Sequence, residues 1–162
     1  EIQALTNPTS FGQPRRTANG VDFNRLLLVT AVLTRRTGLK LSTQDVILNV
    51  TGGIKIGEPA ADLGIALAIA SSARDLPVDP ELAVVGETGL SGELRTVSQL
   101  DRRINEAARL GFKRILVPKT GSNTPNTDIQ VLTASTLRDA VSLGLVKDKK
   151  AVPKEEINGM EY

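Results

Sequence analysis

The chain contains no cysteine, no histidine and no tryptophan, and its aromatic side chains amount to three phenylalanines and one tyrosine among 162 residues. The first two absences remove disulfides, ordinary zinc sites, cysteine nucleophiles and every catalytic triad built on imidazole. Most hydrolase chemistries go with them. An aromatic content of 2% also leaves no stacking platform of the kind single-strand-binding proteins use, so the interior has to be built from Val, Leu, Ile and Ala. No apolar run approaches the roughly 18 residues of a membrane-spanning helix, and no signal peptide is visible. The chain therefore reads as soluble and intracellular. Charge of one sign is lacking too: 20 Lys and Arg stand against 18 Asp and Glu, a net +2. That balance argues for a nucleic-acid partner only where basic residues cluster.

What is present, 40% hydrophobic residues, suffices for one globular domain with a sizeable aliphatic core. The sequence starts on EIQAL without Met, which raises the expectation of a domain excised from a longer protein. Alternation over Glu1 to Thr6 predicts a short strand. Asn7 to Gly20 collects Pro8, Gly12, Pro14, Asn19 and Gly20 around Arg15 and Arg16, and reads as a long loop of the functional or mobile kind. Helical spacing runs from Val21 to Thr37, with Asp22 placed to cap the start and Gly38 to close the end. Leu39 to Val50 is extended, most clearly in DVILNV. A helix follows, ended by Asp75 and Pro77. Glu81 to Val97 reads as two strands around a Gly-rich connection, Ser98 as the cap of a helix reaching about Leu110, Phe112 to Pro118 as a buried strand and Lys119 to Thr127 as a polar loop. Ile129 to Leu132 is the last strand, and a helix from Ser135 to Leu145 is capped by Ser135 or Thr136. The charged residues from Lys147 to Tyr162 lack periodicity and are expected to form a frayed, flexible tail. Strands alternate with helices but a hairpin interrupts them, which predicts an α+β or mixed α/β sheet.

The stretch most suggestive of function is Gly57 to Ser72, GEPAADLGIALAIASS, an acidic, proline-containing loop running into a helix that is apolar almost all round. Such junctions present nucleophiles or bind anions at a helix N-terminus, yet Glu58 and Asp62 occupy this one. Basic pairs occur at Arg15–Arg16, Arg35–Arg36, Arg102–Arg103 and Lys113–Arg114. The first is singled out, because no acidic residue lies within its loop and mobile arginines suit phosphate contact. Arg35 and Arg36 are second candidates for DNA, whereas the KDKK of the tail reads as a solubilising end. Gly52–Gly53 and GETGLSG lack the spacing of a nucleotide cradle, so ATP is not expected to bind here.

Four pieces in order, DVILNVTGG, GEPAADLGIALAIASS, GETGLSGELRTV and LDRRINEAARLGFKRILVP, resemble the proteolytic domain of Lon-type proteases. SFGQPRRTANG, NRLLLVTAVL, QDVILNVTGG and ADLGIALAIASS bring the chain closer to the Lon-like C-terminal domain of the RadA, or Sms, family of bacterial DNA-repair proteins. The resemblance covers Glu1 to Leu145 and implies a Lon-like α+β domain of the ribosomal-protein-S5-domain-2-like type over residues 1–146. Lon proteases use a Ser-Lys dyad, in which burial lowers the lysine pKa so that it acts as base. Matching Gly64 to the family glycine puts Asp62 where the serine would be, and a shift of two residues puts Ala60 there. Counting back from AARLGFKRILVP puts Arg103, which stays protonated, at the lysine. Both halves of the dyad are then missing, and Asp62 and Arg103 are expected to face each other as an ion pair. A rearranged dyad would have to draw on Ser71, Ser72, Lys55 or Lys113.

The resemblance further implies a non-proteolytic scaffold and DNA-contacting module in a protein of recombinational repair and stress response. Its upstream part would supply a zinc finger and a RecA-like, DNA-dependent ATPase that drives branch migration. ATP, Mg and Zn belong to that part, and none is expected here. The implied partners are DNA, further copies in a hexameric ring and the recombinase RecA, with no membrane. The compartment would be the bacterial cytoplasm, or an organelle of bacterial ancestry. Two rival readings stand beside this one: a Lon-like peptidase with a rearranged dyad, and a domain that only multimerises.

Overall fold

In the computed structural model, which describes residues 1–10, 12–121 and 125–147, alternation at the start of the chain produces strand β1 (Ile2–Pro8). Ile2, Ala4 and Thr6 turn inward while Gln3, Leu5 and Asn7 face out, as the two-residue period of a strand requires. The long loop expected up to Gly20 is cut short by β2 (Arg16–Asn19). Ala18 packs against the core there, and two Arg16 guanidinium nitrogens donate to the carbonyls of Gln44 and Leu41, the latter at 2.8 Å. These bonds tie the segment to the turn before the next strand. Gly20 follows with φ +84°, and a Cβ on it would lie 2.5 Å from the Ile54 carbonyl oxygen. Only glycine fits both conditions.

Helix α1 (Phe23–Val32) starts as expected, with the Asp22 carboxylate accepting from the Arg25 N–H. It runs into a π-turn over Leu33–Thr37, where the hydroxyls of Thr34 and Thr37 donate to the carbonyls of Thr30 and Leu33 at 2.8 and 2.6 Å. Gly38, left-handed at φ +77°, ends it. Strand β3 (Gln44–Val50) lies between the first two, antiparallel to β1 with Leu5 opposite Ile47, and parallel to β2. Of the extended Leu39 to Val50, only this latter part is strand.

A one-turn 3-10 segment (Pro59–Ala61) leads into helix α2 (Asp62–Arg74). Asp75 closes it in a left-handed conformation, its N–H returning to the carbonyls of Ser71 and Ser72. Leu63, Ile65, Ala66, Leu67, Ile69 and Ala70 are buried, while Ala61, Gly64 and Ala68 form a half-exposed stripe. The two strands expected between Glu81 and Val97 resolve into three: β4 (Leu82–Val84), and a hairpin of β5 (Glu87–Thr88) and β6 (Leu94–Arg95). Helix α3 (Leu100–Arg109) starts without the expected Ser98 cap. Gln99 precedes it in a left-handed conformation with no capping side chain, and the Ser98 carbonyl accepts from Arg103 Nε at 2.9 Å. Strands β7 (Arg114–Pro118) and β8 (Gln130–Ala134) join β4 in an all-parallel sheet of order β4-β7-β8. Helix α4 (Leu137–Gly144) is capped by the Thr136 hydroxyl, which accepts from the Asp139 N–H.

The described residues are therefore mixed α+β, with small sheets and four α-helices. The main core gathers α1, α2, α4 and the inner faces of β1 and β3, and a second cluster sits between α3 and the parallel sheet around Ile104, Ile115 and Val117. The flexible tail expected from Lys147 to Tyr162 lies, beyond Lys147, outside the described residues. Among the described residues no helix is long and apolar enough to cross a membrane, and no acidic cluster is arranged to hold a metal ion.

Candidate functional site

The junction between the 3-10 turn and α2 is held by the chain that follows β4. The Gly86 N–H donates to the Ala60 carbonyl at 3.0 Å, and the Leu63 N–H to the Gly86 carbonyl at 3.1 Å. This clamp fixes Asp62 at the first turn of α2, facing the hairpin and α1 rather than solvent. Its side chain is fully buried, with Oδ2 accepting from the Thr88 N–H at 3.0 Å and Oδ1 lying 3.3 Å from Arg25 Nε. Oδ1 has no hydrogen-bonding partner, so the Arg25 interaction is an ion pair out of hydrogen-bonding line. Burial raises the Asp62 pKa above the ordinary carboxylate range, against the opposing pulls of the Thr88 N–H and Arg25; Glu87 adds a further push upward. Thr88 Oγ1 is another buried atom without a hydrogen-bond partner among the described residues.

The expected Asp62–Arg103 pair does not form. Arg103 reaches Glu58 instead, 2.8 Å from Nη2 to Oε2, while its Nε holds the Ser98 carbonyl. The reason is placement. Asp62 points under the hairpin, whereas Arg103 and Glu58 meet at the rim of a groove of about 490 Å³ floored by Ala83 and Val85. The partner Asp62 actually takes, Arg25, lies on α1 and was not among the residues the sequence singled out.

The residues named for a rearranged dyad are engaged or displaced. Ser71 Oγ donates to the Leu76 carbonyl at 2.6 Å, and Ser72 Oγ accepts from the Thr6 N–H at 2.8 Å. Lys55 and Lys113 are exposed, as are the other described lysines, Lys40, Lys119 and Lys147. None is desolvated, which is what an amine base requires.

The basic candidates divide differently from the sequence expectation. Arg15 and Arg16 are both engaged within the fold. The buried Asp45 carboxylate accepts from the Arg15 N–H at 2.7 Å and pairs with its guanidinium at 3.2 Å, though 68% of the Arg15 side chain remains exposed. The same contacts, the backbone one foremost, hold Asp45 below the usual carboxylate range against its partial burial. Arg16 spends its guanidinium on three carbonyls, those of Arg15, Gln44 and Leu41, and burial lowers its pKa. The acid missing from the loop thus comes from β3, 30 residues away. Arg35 and Arg36, by contrast, are exposed at the π-turn, and Arg138 joins them. Its guanidinium forks onto the Arg36 carbonyl at 3.0 and 2.8 Å, while Arg36 Nε reaches the Leu90 carbonyl at the hairpin tip at 3.5 Å. Among the described residues none of these three arginines lies within ion-pair distance of a carboxylate. Arg138 is 102 positions from Arg36 in sequence, and no local pattern announces it.

A family model described as subunit ChlI of Mg-chelatase matches residues 21–121. Among curated relatives, the DNA repair protein RadA of Halalkalibacterium halodurans is 52% identical over 147 residues, which is 90% of this chain and 32% of the relative. The DNA repair protein RadA of Streptococcus pneumoniae is 50% identical over 144 residues, 87% of this chain and 34% of the relative. That of Synechocystis is 44% identical over 161 residues, 99% of this chain and 32% of the relative. The chain spans about a third of the length of these relatives.

Proposed function

Since the chain belongs to the family whose model is described as subunit ChlI of Mg-chelatase, and is homologous to the C-terminal region of DNA repair proteins named RadA, we propose that it serves DNA repair as a non-proteolytic, DNA-contacting scaffold. Its fold is read as Lon-like, of the ribosomal-protein-S5-domain-2-like type. The observation that carries this reading is identity of 44–52% over most of the chain to proteins named for DNA repair. In the longer protein, the parts beyond this region would supply the ATPase, with ATP, Mg and Zn, that drives branch migration. The scaffold would hold copies of the protein together, in a hexamer on the family reading, and RecA is a candidate partner.

The absence of peptidase action is supported by the use made of Asp62. A carboxylate buried against Thr88 and Arg25 replaces the nucleophile with a structural anchor, and exposed lysines supply no base. Casein should remain intact with the isolated chain, and cleavage would end this half of the reading.

DNA contact is assigned to the exposed arginines, Arg35 and Arg36 with Arg138, and Arg15 at its exposed end. Guanidinium groups without a neighbouring carboxylate, as at Arg35, Arg36 and Arg138, suit phosphate oxygens, and Arg15, although paired with Asp45, keeps 68% of its side chain exposed. The test is fluorescence anisotropy with a labelled single-stranded oligonucleotide across a salt series. Arg35→Ala with Arg36→Ala should weaken binding at every sequence tried and reduce the slope of log K against log salt by about 0.7 for each phosphate that the variant leaves unneutralised. Unchanged affinity and slope would refute the assignment. Sedimentation of the chain with and without the oligonucleotide separates DNA contact from multimerisation alone.

A further inference from the structure

Turns ordinarily carry small or polar residues, yet the hairpin of β5 and β6 puts Leu90 at its tip. Leu90 is 71% exposed, more than any other large apolar side chain among the described residues. The tip that presents it is fixed. The Gly89 N–H donates to the Glu93 carbonyl at 2.9 Å and the Gly92 N–H to the Gly89 carbonyl at 3.0 Å. That is the pattern of a three-residue hairpin loop closed by a left-handed glycine, here Gly92 at φ +85°. Glu93 Oε2 accepts from the Ser91 N–H at 3.1 Å, and its Oε1 is held by Arg95 at 2.9 Å.

The tip is also fastened to the arginine surface. From the start of α4, the Leu137 N–H donates to the Gly92 carbonyl at 2.8 Å, and the Leu94 N–H donates to the Ser135 carbonyl at 2.9 Å. From the π-turn, the stem of Arg36 lies against Gly92, where a Cβ would meet Arg36 Cγ at 2.9 Å, and Arg36 Nε reaches the Leu90 carbonyl itself. Arg138, the residue after Leu137, forks onto the Arg36 carbonyl. Hairpin, π-turn and α4 thus close a circuit of contacts. The acids on these segments are occupied: Glu93 as above, and Asp139, whose Oδ2 accepts from the Thr136 hydroxyl at 2.7 Å. The circuit sets a bare leucine side chain beside cations that have no carboxylate of their own.

We propose that Leu90 packs against the face of an unstacked base in single-stranded DNA whose phosphates lie on Arg35, Arg36 and Arg138; this rests on the assignment of DNA contact to those arginines. Phosphate contacts position a strand and leave its bases to whatever lies beside them. Inside a duplex each base face is covered by its neighbours, so a protruding leucine finds an open face only where bases are unstacked. A tip already fixed by its own hydrogen bonds loses little freedom on contact. Leucine brings apolar area without a ring or a hydrogen-bonding group, so the contact tolerates any base and is weaker than aromatic stacking.

The probes are two fluorescein-labelled oligonucleotides of equal length, one of thymidines and one of abasic tetrahydrofuran units with the same phosphates. Each is titrated with the chain 1–162 and followed by fluorescence anisotropy. The wild type should bind the thymidine probe at least about fivefold more tightly than the abasic one. Leu90→Ser should lose most of that preference, with abasic affinity, salt slope and circular dichroism as in the wild type, and Leu90→Met should retain it. Equal affinity of the wild type for the two probes overturns the proposal and leaves the arginine surface standing. A preference that survives in Leu90→Ser does the same, and changed sedimentation of that variant would then make Leu90 a contact between copies. If neither probe binds up to about 1 mM protein, the DNA reading itself fails and this contact with it.

Discussion

Asp62 is the residue at which chemistry and position are most at odds. Its pKa is raised in the folded chain, chiefly by burial, so the folded state holds the proton more tightly than the unfolded state does. Ionisation of Asp62 therefore costs stability. The cost is absent below the ordinary carboxylate pKa, grows as pH rises to the folded value and is constant above it. Asp62→Asn keeps an acceptor for the Thr88 N–H but does not ionise. In urea unfolding between pH 4 and 7, wild-type stability relative to this variant should fall with rising pH and then level off. A difference that grew in favour of the wild type would show Arg25 outweighing burial. That an acid stands at the start of α2 was legible from GEPAADLG, but its partner was not. Arg25 and Asp62 are brought together by packing of α1 on α2, and nothing in the spacing of either helix encodes that meeting.

At the level of elements, local chemistry sufficed wherever one residue type dictates the outcome. The Asp22 cap, the Gly38 and Asp75 terminations and the DVILNV strand were readable because capping and β-branching act within a few residues. The expectations that failed depended on distant partners. Arg16–Asn19 became strand because β3 supplies a neighbour and Arg16 finds carbonyls beyond it, and α3 went without its serine cap because Gln99, left-handed, takes the position before the helix. Packing between elements makes its own demands on sequence. A Cβ on Gly144, near the end of α4, would lie 2.8 and 2.9 Å from the two methyl carbons of Leu67, and Leu67, 2% exposed, has no room to withdraw. Gly144→Val should therefore cost about 1–3 kcal/mol by overpacking, measurable as a lowered urea midpoint with an unchanged slope.

For the molecule as a whole, the division of the interior into two clusters sets where it opens first. Helix α2 buries six apolar residues in the main core, whereas α3 buries Ile104 and Ala107 against the parallel sheet. Hydrogen exchange should show α2 amides protected near the global limit and α3 amides exchanging through a lower-energy opening; equal protection would mean that the clusters unfold together. The mixed α+β class was visible from the alternation of strands and helices. The splitting of the strands into separate sheets was not, because which strands pair is decided by partners distant in sequence. The π-turn at Leu33–Thr37 has a consequence for how such chains vary in length. A π-turn is an α-helix carrying one surplus residue, so losing a residue between 33 and 37 leaves a helix that still closes. Each residue of an α-helix advances it by about 100°, and the Arg36 carbonyl would swing off the Arg138 fork by that amount. A single-codon deletion there is thus neutral for the helix and decisive for the arginine surface.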